Sequence, residues 1–89
     1  MIILYRINEN VISTEVDGNT VLLDTKKSLY FSLDSLGKEI WTYLIEGKDI
    51  EQIRNQIYQS YEVDFDTVSK DVQNFCQTLD SNGLIIREK

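Results

Sequence analysis

The side chains able to do chemistry are few. Cys76 is the single cysteine, and the chain has no histidine. A thiol needs a base or a positive neighbour to become a nucleophile, and Cys76 stands beside Phe75 in a helical stretch with neither. It reads as a small apolar residue, the usual habit of a free cysteine. One cysteine also excludes an internal disulfide and a cysteine-based zinc site. Glu62, Asp64, Asp66 and Asp71 form the densest carboxylate group. Their spacing fits no calcium loop, whereas acids at a helix start are favoured by its exposed N–H groups. Tyr30, Tyr43, Tyr58, Tyr61 and Trp41 would make a stacking surface for bases only with basic residues between them, which are missing. The four glycines are isolated, so no phosphate loop exists. Nothing here calls for a catalytic residue, a metal or a cofactor.

The elements that must position these residues follow from pattern. Val11–Val16, Thr20–Asp24 and Ser28–Leu33 are β-rich runs. Asp17-Gly18-Asn19 supplies a turn between the first two, because Gly and Asn tolerate positive φ. Thr25-Lys26-Lys27 turns the chain again. In Ser28–Leu33, Leu29, Phe31 and Leu33 share one face and Tyr30 and Ser32 the other. The segment Met1–Ile7 is apolar enough for a further, loose terminal strand. From residue 34 the period becomes helical. Asp34 or Ser35 caps a first helix with Leu36, Ile40, Trp41, Leu44 and Ile45, and Gly47 stops it. Asp49, with Gln52 three residues on, opens a second helix striped by Ile50, Ile53, Ile57 and Tyr61. Asp64 opens a long third, striped by Phe65, Val68, Val72, Phe75 and Leu79. Asn82-Gly83 ends it, and Leu84-Ile85-Ile86 is a short extended tail. The expected fold is α+β and winged helix-turn-helix-like: a three-stranded antiparallel sheet, then three helices.

Length and charge bound the function. The 89 residues make one domain, 42% hydrophobic, with 9 Lys+Arg against 15 Asp+Glu and a net charge of −6. A winged helix on DNA would place the long helix in the major groove, yet that helix sets Asp64, Asp66, Asp71 and Asp80 against Lys70 alone. An acidic DNA-binding regulator is therefore the poorer alternative, and anionic lipid is disfavoured on the same ground. No apolar run reaches membrane length, and the N-terminus lacks a secretory layout, so a cytoplasmic chain is expected. The Ser28–Leu33 strand stands out. If the strands pair in order, it is an apolar sheet edge, to be covered by the helices or by a partner strand.

These residues resemble a known family. Asp17-Gly18, Val21-Leu22-Leu23-Asp24 and Tyr30-Phe31-Ser32-Leu33 are similar to the strand region of PqqD-like proteins. Gly37, Ile40-Trp41, Leu44 and Gly47 resemble the family's first helix. Tyr61-Glu62-Val63-Asp64 resembles the start of its long helix, and Asp71-Val72, Phe75, Leu79 and Gly83-Leu84-Ile85 its close. The resemblance spans roughly residues 11–86. It implies a recognition element that binds the leader segment of a ribosomally made precursor peptide and presents it to a maturation enzyme. In such proteins the leader adds as a strand and lies against the third helix. Carried onto this chain, the docking edge is Leu29, Tyr30, Phe31, Ser32 and Leu33. The cleft wall is drawn from Val68, Asp71, Val72, Phe75, Cys76 and Leu79, some of which must be core. Two departures bear on turn geometry: Lys26-Lys27 stands where the family has a Gly, and Asp34 where an Asn is common.

The chain is expected to be a free-standing unit, as some relatives are. The resemblance points first to lasso peptide maturation beside a leader-cleaving cysteine protease, in a bacterium whose Ile-, Lys- and Asn-rich usage fits an AT-rich genome. The alternative is a PqqD-type chaperone for a radical-SAM peptide-modifying enzyme.

Overall fold

A computed structural model describes residues 3–88. Met1 and Ile2, included in the apolar N-terminal run, lie outside the described residues. The order of elements is β1 (Leu4–Ile7), β2 (Val11–Val16), β3 (Asn19–Asp24), β4 (Leu29–Leu33), α1 (Ser35–Ile45), α2 (Ile50–Ser60), α3 (Phe65–Ser81) and β5 (Ile85–Glu88). The fold is α+β, with β2, β3 and β4 in an antiparallel sheet of that order.

Each turn has a local cause. Asp17 and Gly18 both take positive φ, 52° and 81°, which gives the β2–β3 hairpin the twist its strands need. The β3–β4 turn solves the missing-glycine problem differently. Ser28 itself takes φ 56°. The preceding bend is held by Asp24, whose Oδ1 accepts from the Lys26 and Lys27 N–H groups at 3.0 and 3.1 Å. Asp24 is buried, so the turn is anchored from inside the domain.

The helices start on carboxylates, as their sequences require. Asp34 accepts from Gly37 N–H at 2.7 Å, so Asp34 and not Ser35 is the cap. Asp49 and Gln52 close a reciprocal capping box. Asp64 accepts from Thr67.

The core joins Leu22 and Leu33 of the sheet to Ile40, Trp41 and Leu44 of α1, Ile50, Ile53 and Ile57 of α2, and Val68, Val72, Cys76 and Leu79 of α3. Three details differ from the sequence expectation. The buried line of α3 runs through Cys76, not Phe75, which is half-buried to one side. Ile45 and Phe65, at helix ends beyond the reach of the core, are exposed. Phe65 instead meets Tyr58 edge-on, with ring centroids 5.4 Å apart.

The chain ends also do more than expected. β1 and β5 pair antiparallel, from Leu4 opposite Glu88 to Ile7 opposite Ile85, as a second sheet. Asn8 locks its inner end, donating through Nδ2 to Gly83 O at 2.8 Å and through its N–H to Leu84 O at 3.1 Å. Leu84 and Ile85 are thereby buried under α3.

Candidate functional site

The three-stranded sheet has two open edges, β2 and β4. Among the described residues no strand pairs with the outer side of β4. Its side chains alternate as the sequence implied. Leu33 is buried and Leu29 and Phe31 are half-buried on the inner face, while Tyr30 is 70% exposed and Ser32 is exposed on the outer one. All five expected edge residues are thus brought to one strand whose outward N–H and C=O groups have no strand partner. An uncharged apolar edge of this kind is a template for another chain.

The helix in contact with β4 is α1, and two close approaches relate the segments flanking the strand to α3. At the start of β4 the Lys27 ammonium stands over Gly83, 3.0 Å from where a Cβ there would lie. Beyond its end, Gly37 of α1 packs on the Phe75 ring, and a Cβ on Gly37 would lie 3.0 Å from Phe75 Cε1. The residues flanking β4 on either side are therefore tied to the C-terminal half of α3, at Gly83 and at Phe75.

The six expected wall positions on α3 separate sharply. Val68, Val72, Cys76 and Leu79 are core, each no more than 2% exposed. The earlier inclusion of these four among peptide-contacting residues is corrected: they support the wall from behind. The reason is the 100° step of the helix, which turns Cys76 inward and leaves its neighbour Phe75 at the boundary. Asp71, one turn before Phe75, is exposed. Of the six, Phe75 and Asp71 carry the accessible surface, and Val68 touches the concavity beyond them.

Beyond Phe75 a small concavity opens between α1, α2 and α3, lined by Leu36, Ile57, Tyr61, Val63, Val68 and Asp71. Sequence reasoning did not bring Leu36, Tyr61 and Val63 together in one concavity. The Tyr61-Glu62-Val63-Asp64 signature was present, but it was assigned to the start of the helix. The Tyr61 hydroxyl donates to Glu39 Oε1 at 3.3 Å. Burial first, and then the Glu39 charge, push the hydroxyls of Tyr61 and Tyr43 above the ordinary tyrosine range.

The remaining polar groups have structural employment. Hydrogen bonds from Thr67 hold Asp64 below the usual carboxylate range, as befits a cap. Burial pushes the Cys76 thiol up to about 12, so it is protonated at neutral pH and unsuited to nucleophilic attack. No group of His, Cys, Asp and Glu among the described residues has metal-binding geometry. Arg54, one of few cations near α3, donates to Ser69 Oγ at 3.0 Å. The exposed face of α3 keeps Asp66, Asp71 and Asp80 against Lys70, which opposes docking on phosphates. Among the described residues no helix is long and apolar enough to cross a membrane.

Comparison with known proteins agrees with this architecture. The profile of the family described as Coenzyme PQQ synthesis protein D (PqqD) matches residues 19–85. The solved structure of TbiB1 in complex with the TbiA(beta) leader peptide is 37% identical, with 91% of this chain and 94% of that one covered and a TM-score of 0.84. A lasso peptide synthetase B1 complexed with the leader peptide is similar in fold, with a TM-score of 0.85, 22% identity, and coverage of 92% of this chain and 96% of that one. No curated protein matches the chain.

Proposed function

This chain belongs to the PqqD family, and from that premise we propose that it binds the leader segment of a ribosomally made precursor peptide and presents it to a partner maturation enzyme. The observation that carries this reading is the unpaired, uncharged β4 edge, in a chain 37% identical to a protein solved with a leader peptide. The leader adds as a strand to Leu29–Leu33. Main-chain hydrogen bonds supply sequence-tolerant affinity, and the half-buried Leu29, Phe31 and Phe75 give its inward side chains an apolar floor. Asp71 and the Leu36–Tyr61–Val63 concavity lie further along, where the leader's selectivity would be expressed.

The leader is ordered only on docking, so part of the interaction free energy offsets lost chain entropy. Once held, its core segment reaches a high effective concentration at the partner's active site. On this reading the whole chain is one recognition unit, works in the cytoplasm where precursors are made, and performs no chemistry itself. The partner is a leader-cleaving cysteine protease of lasso peptide maturation. The alternative partner is a radical-SAM peptide-modifying enzyme, which would use the same edge.

Anisotropy of a labelled cognate leader tests the proposal. Saturable binding that a scrambled peptide does not reproduce is expected, with no saturable binding of duplex DNA at low salt. Equal binding of scrambled and cognate peptides, or salt-resistant duplex binding, contradicts it. In single-turnover assays the precursor should remain intact until the protease is added. Processing by this chain alone, lost in Cys76→Ala, would overturn the non-catalytic assignment.

A further inference from the structure

A second concavity, of about 200 Å³, lies between α2, α3 and the paired chain ends. Its apolar lining is Ile3, Ile50 and the buried Cys76. Ile50 N–H donates to Ile3 O at 3.0 Å, which seats the chain entering β1 on the start of α2. The polar lining comes from three sides. Arg54 belongs to α2, Gln73, Gln77 and Asp80 to α3, and Tyr5 stands opposite Arg87 across β1 and β5. On the 100° step of a helix, Gln73 and Gln77 stand about 160° around α3 from Phe75. The cavity is therefore on the far side of that helix from Phe75, and a leader strand on β4 would leave it open. The charge balance also inverts here. The chain carries −6, yet two guanidinium groups and one carboxylate border this cavity. Arg54 is the informative member. Its Nη1 donates to Ser69 Oγ at 3.0 Å, which fixes the guanidinium between α2 and α3. Its Nε–H is buried without a hydrogen-bond partner. Among the described residues no carboxylate forms an ion pair with Arg54. A charged N–H sheltered from water with no acceptor is costly, and an anionic acceptor relieves that cost best. Burial first, and then neighbouring Cys76 and Asp80, push the Tyr5 hydroxyl above the ordinary tyrosine range, against an opposing pull from Arg87, so it stays a donor.

We propose that this cavity is a second binding site, for a carboxylate on a short apolar stem such as a glutamate side chain or a small dicarboxylic acid. With Nη1 held by Ser69, the Nε–H and Nη2–H groups of Arg54 share the remaining edge of the guanidinium, a fork that a planar carboxylate matches. The Tyr5 hydroxyl and the Gln73 and Gln77 amides supply the other donors the anion needs. The methylene stem rests on Ile50 and Cys76. Size and charge select this class. The cavity is smaller than the roughly 300–1,000 Å³ of a site for a drug-sized molecule, so it takes a group of side-chain size. Asp80 on its border disfavours a dianionic phosphate more than a single carboxylate.

The test is an NMR titration of the isotopically labelled chain with glutarate and, separately, with N-acetylglutamate methylamide, at an ionic strength held constant with chloride. The Arg54 Nε–H resonance should move saturably, together with the Gln73 and Gln77 amides, while Leu29–Leu33 stay still. Tighter binding of glutarate assigns the site to a free acid, and tighter binding of N-acetylglutamate methylamide to a protein side chain; either supports a carboxylate site. Acetate, which lacks the stem, should bind roughly ten-fold more weakly. Gln77→Glu should weaken binding roughly ten-fold and Asp80→Asn should tighten it about three-fold, because each changes one charge beside the anion. Arg54→Gln should abolish saturation. Arg54 also ties α2 to α3, so melting curves accompany that variant, while Gln77 and Asp80 are exposed and test the charge argument without disturbing the core. No saturable movement of the Arg54 Nε–H would overturn the proposal. So would affinities indifferent to both charge variants, or inorganic phosphate binding more tightly than either carboxylate.

Discussion

The two edges of one sheet have been treated oppositely. β2 carries Ser13, Thr14 and Glu15 along its middle; Val11 rests half-buried on the core, and residues 12–16 are exposed on both sides. Its neighbour in the sheet, β3, is paired on both sides, and β4 forms the other edge. β4 has no charge and rests its inner residues on the core, beside α1. An edge carrying a charge such as Glu15 is guarded against pairing, whereas an uncharged edge resting on the core is open to it. The register makes the contrast direct, because Ser13, Leu22 and Phe31 form a single cross-strand row, polar at one end and aromatic at the other.

Raised pH acts on both edges together and so defines the conditions for comparing them. Below pH 9 the Cys76 thiol is protonated in the folded and the unfolded chain. Above it only the unfolded chain ionises, because burial holds the folded thiol at about 12. Stability should fall as pH rises through this window, and Cys76→Ala should remove most of the slope in denaturant titrations at pH 8, 9 and 10. A smaller slope should persist from the raised hydroxyls of Tyr5, Tyr43 and Tyr61.

Charge placed at the two ends of the shared row should separate the edges next. Phe31→Asp is expected to weaken leader binding about a hundred-fold, since it loses an apolar floor and leaves a carboxylate facing the added strand. Ser13→Asp should leave binding within about two-fold. Comparable losses in the two variants, measured by anisotropy below pH 9, would erase the distinction. Phe75→Ala tests the helix side of the edge. A roughly ten-fold loss of affinity is expected, together with a modest drop in melting temperature because the ring also packs on Gly37. The smallest effect belongs to the turn feeding β4. Asp24→Ala strips the acceptor from two turn N–H groups and should cost about 1–3 kcal/mol of stability, with affinity reduced only a few-fold.

Much of this was legible in the sequence because local chemistry dictated it. Asp34, Asp49 and Asp64 announce helix starts, and Asp17-Gly18 announces a hairpin whose register follows from the turn. The alternation in Leu29–Leu33 placed Tyr30 outward and Leu33 inward. What stayed hidden depended on distant partners. A four-residue run such as Leu4–Ile7 carries no mark of pairing with Ile85–Glu88, 80 positions away. Phe75 and Cys76 are adjacent on a helix, and periodicity does not say which one faces the core. The larger Phe75 stops at the boundary because Gly37 admits its ring, a contact between residues 38 positions apart. The Leu36–Tyr61–Val63 concavity joins three elements, so its members looked like ordinary cap and core residues.

The central claim is that a leader peptide pairs with β4 and leaves β2 alone, and amide exchange by NMR with and without the cognate leader tests it most directly. The account predicts that alternate amides along Leu29–Leu33 gain protection, that shifts appear at Asp71 and Phe75, and that Val11–Val16 and the α2 surface around Arg54 and Gln59 stay unchanged. Protection appearing along Val11–Val16 or on α2, with Leu29–Leu33 unaltered, would contradict it.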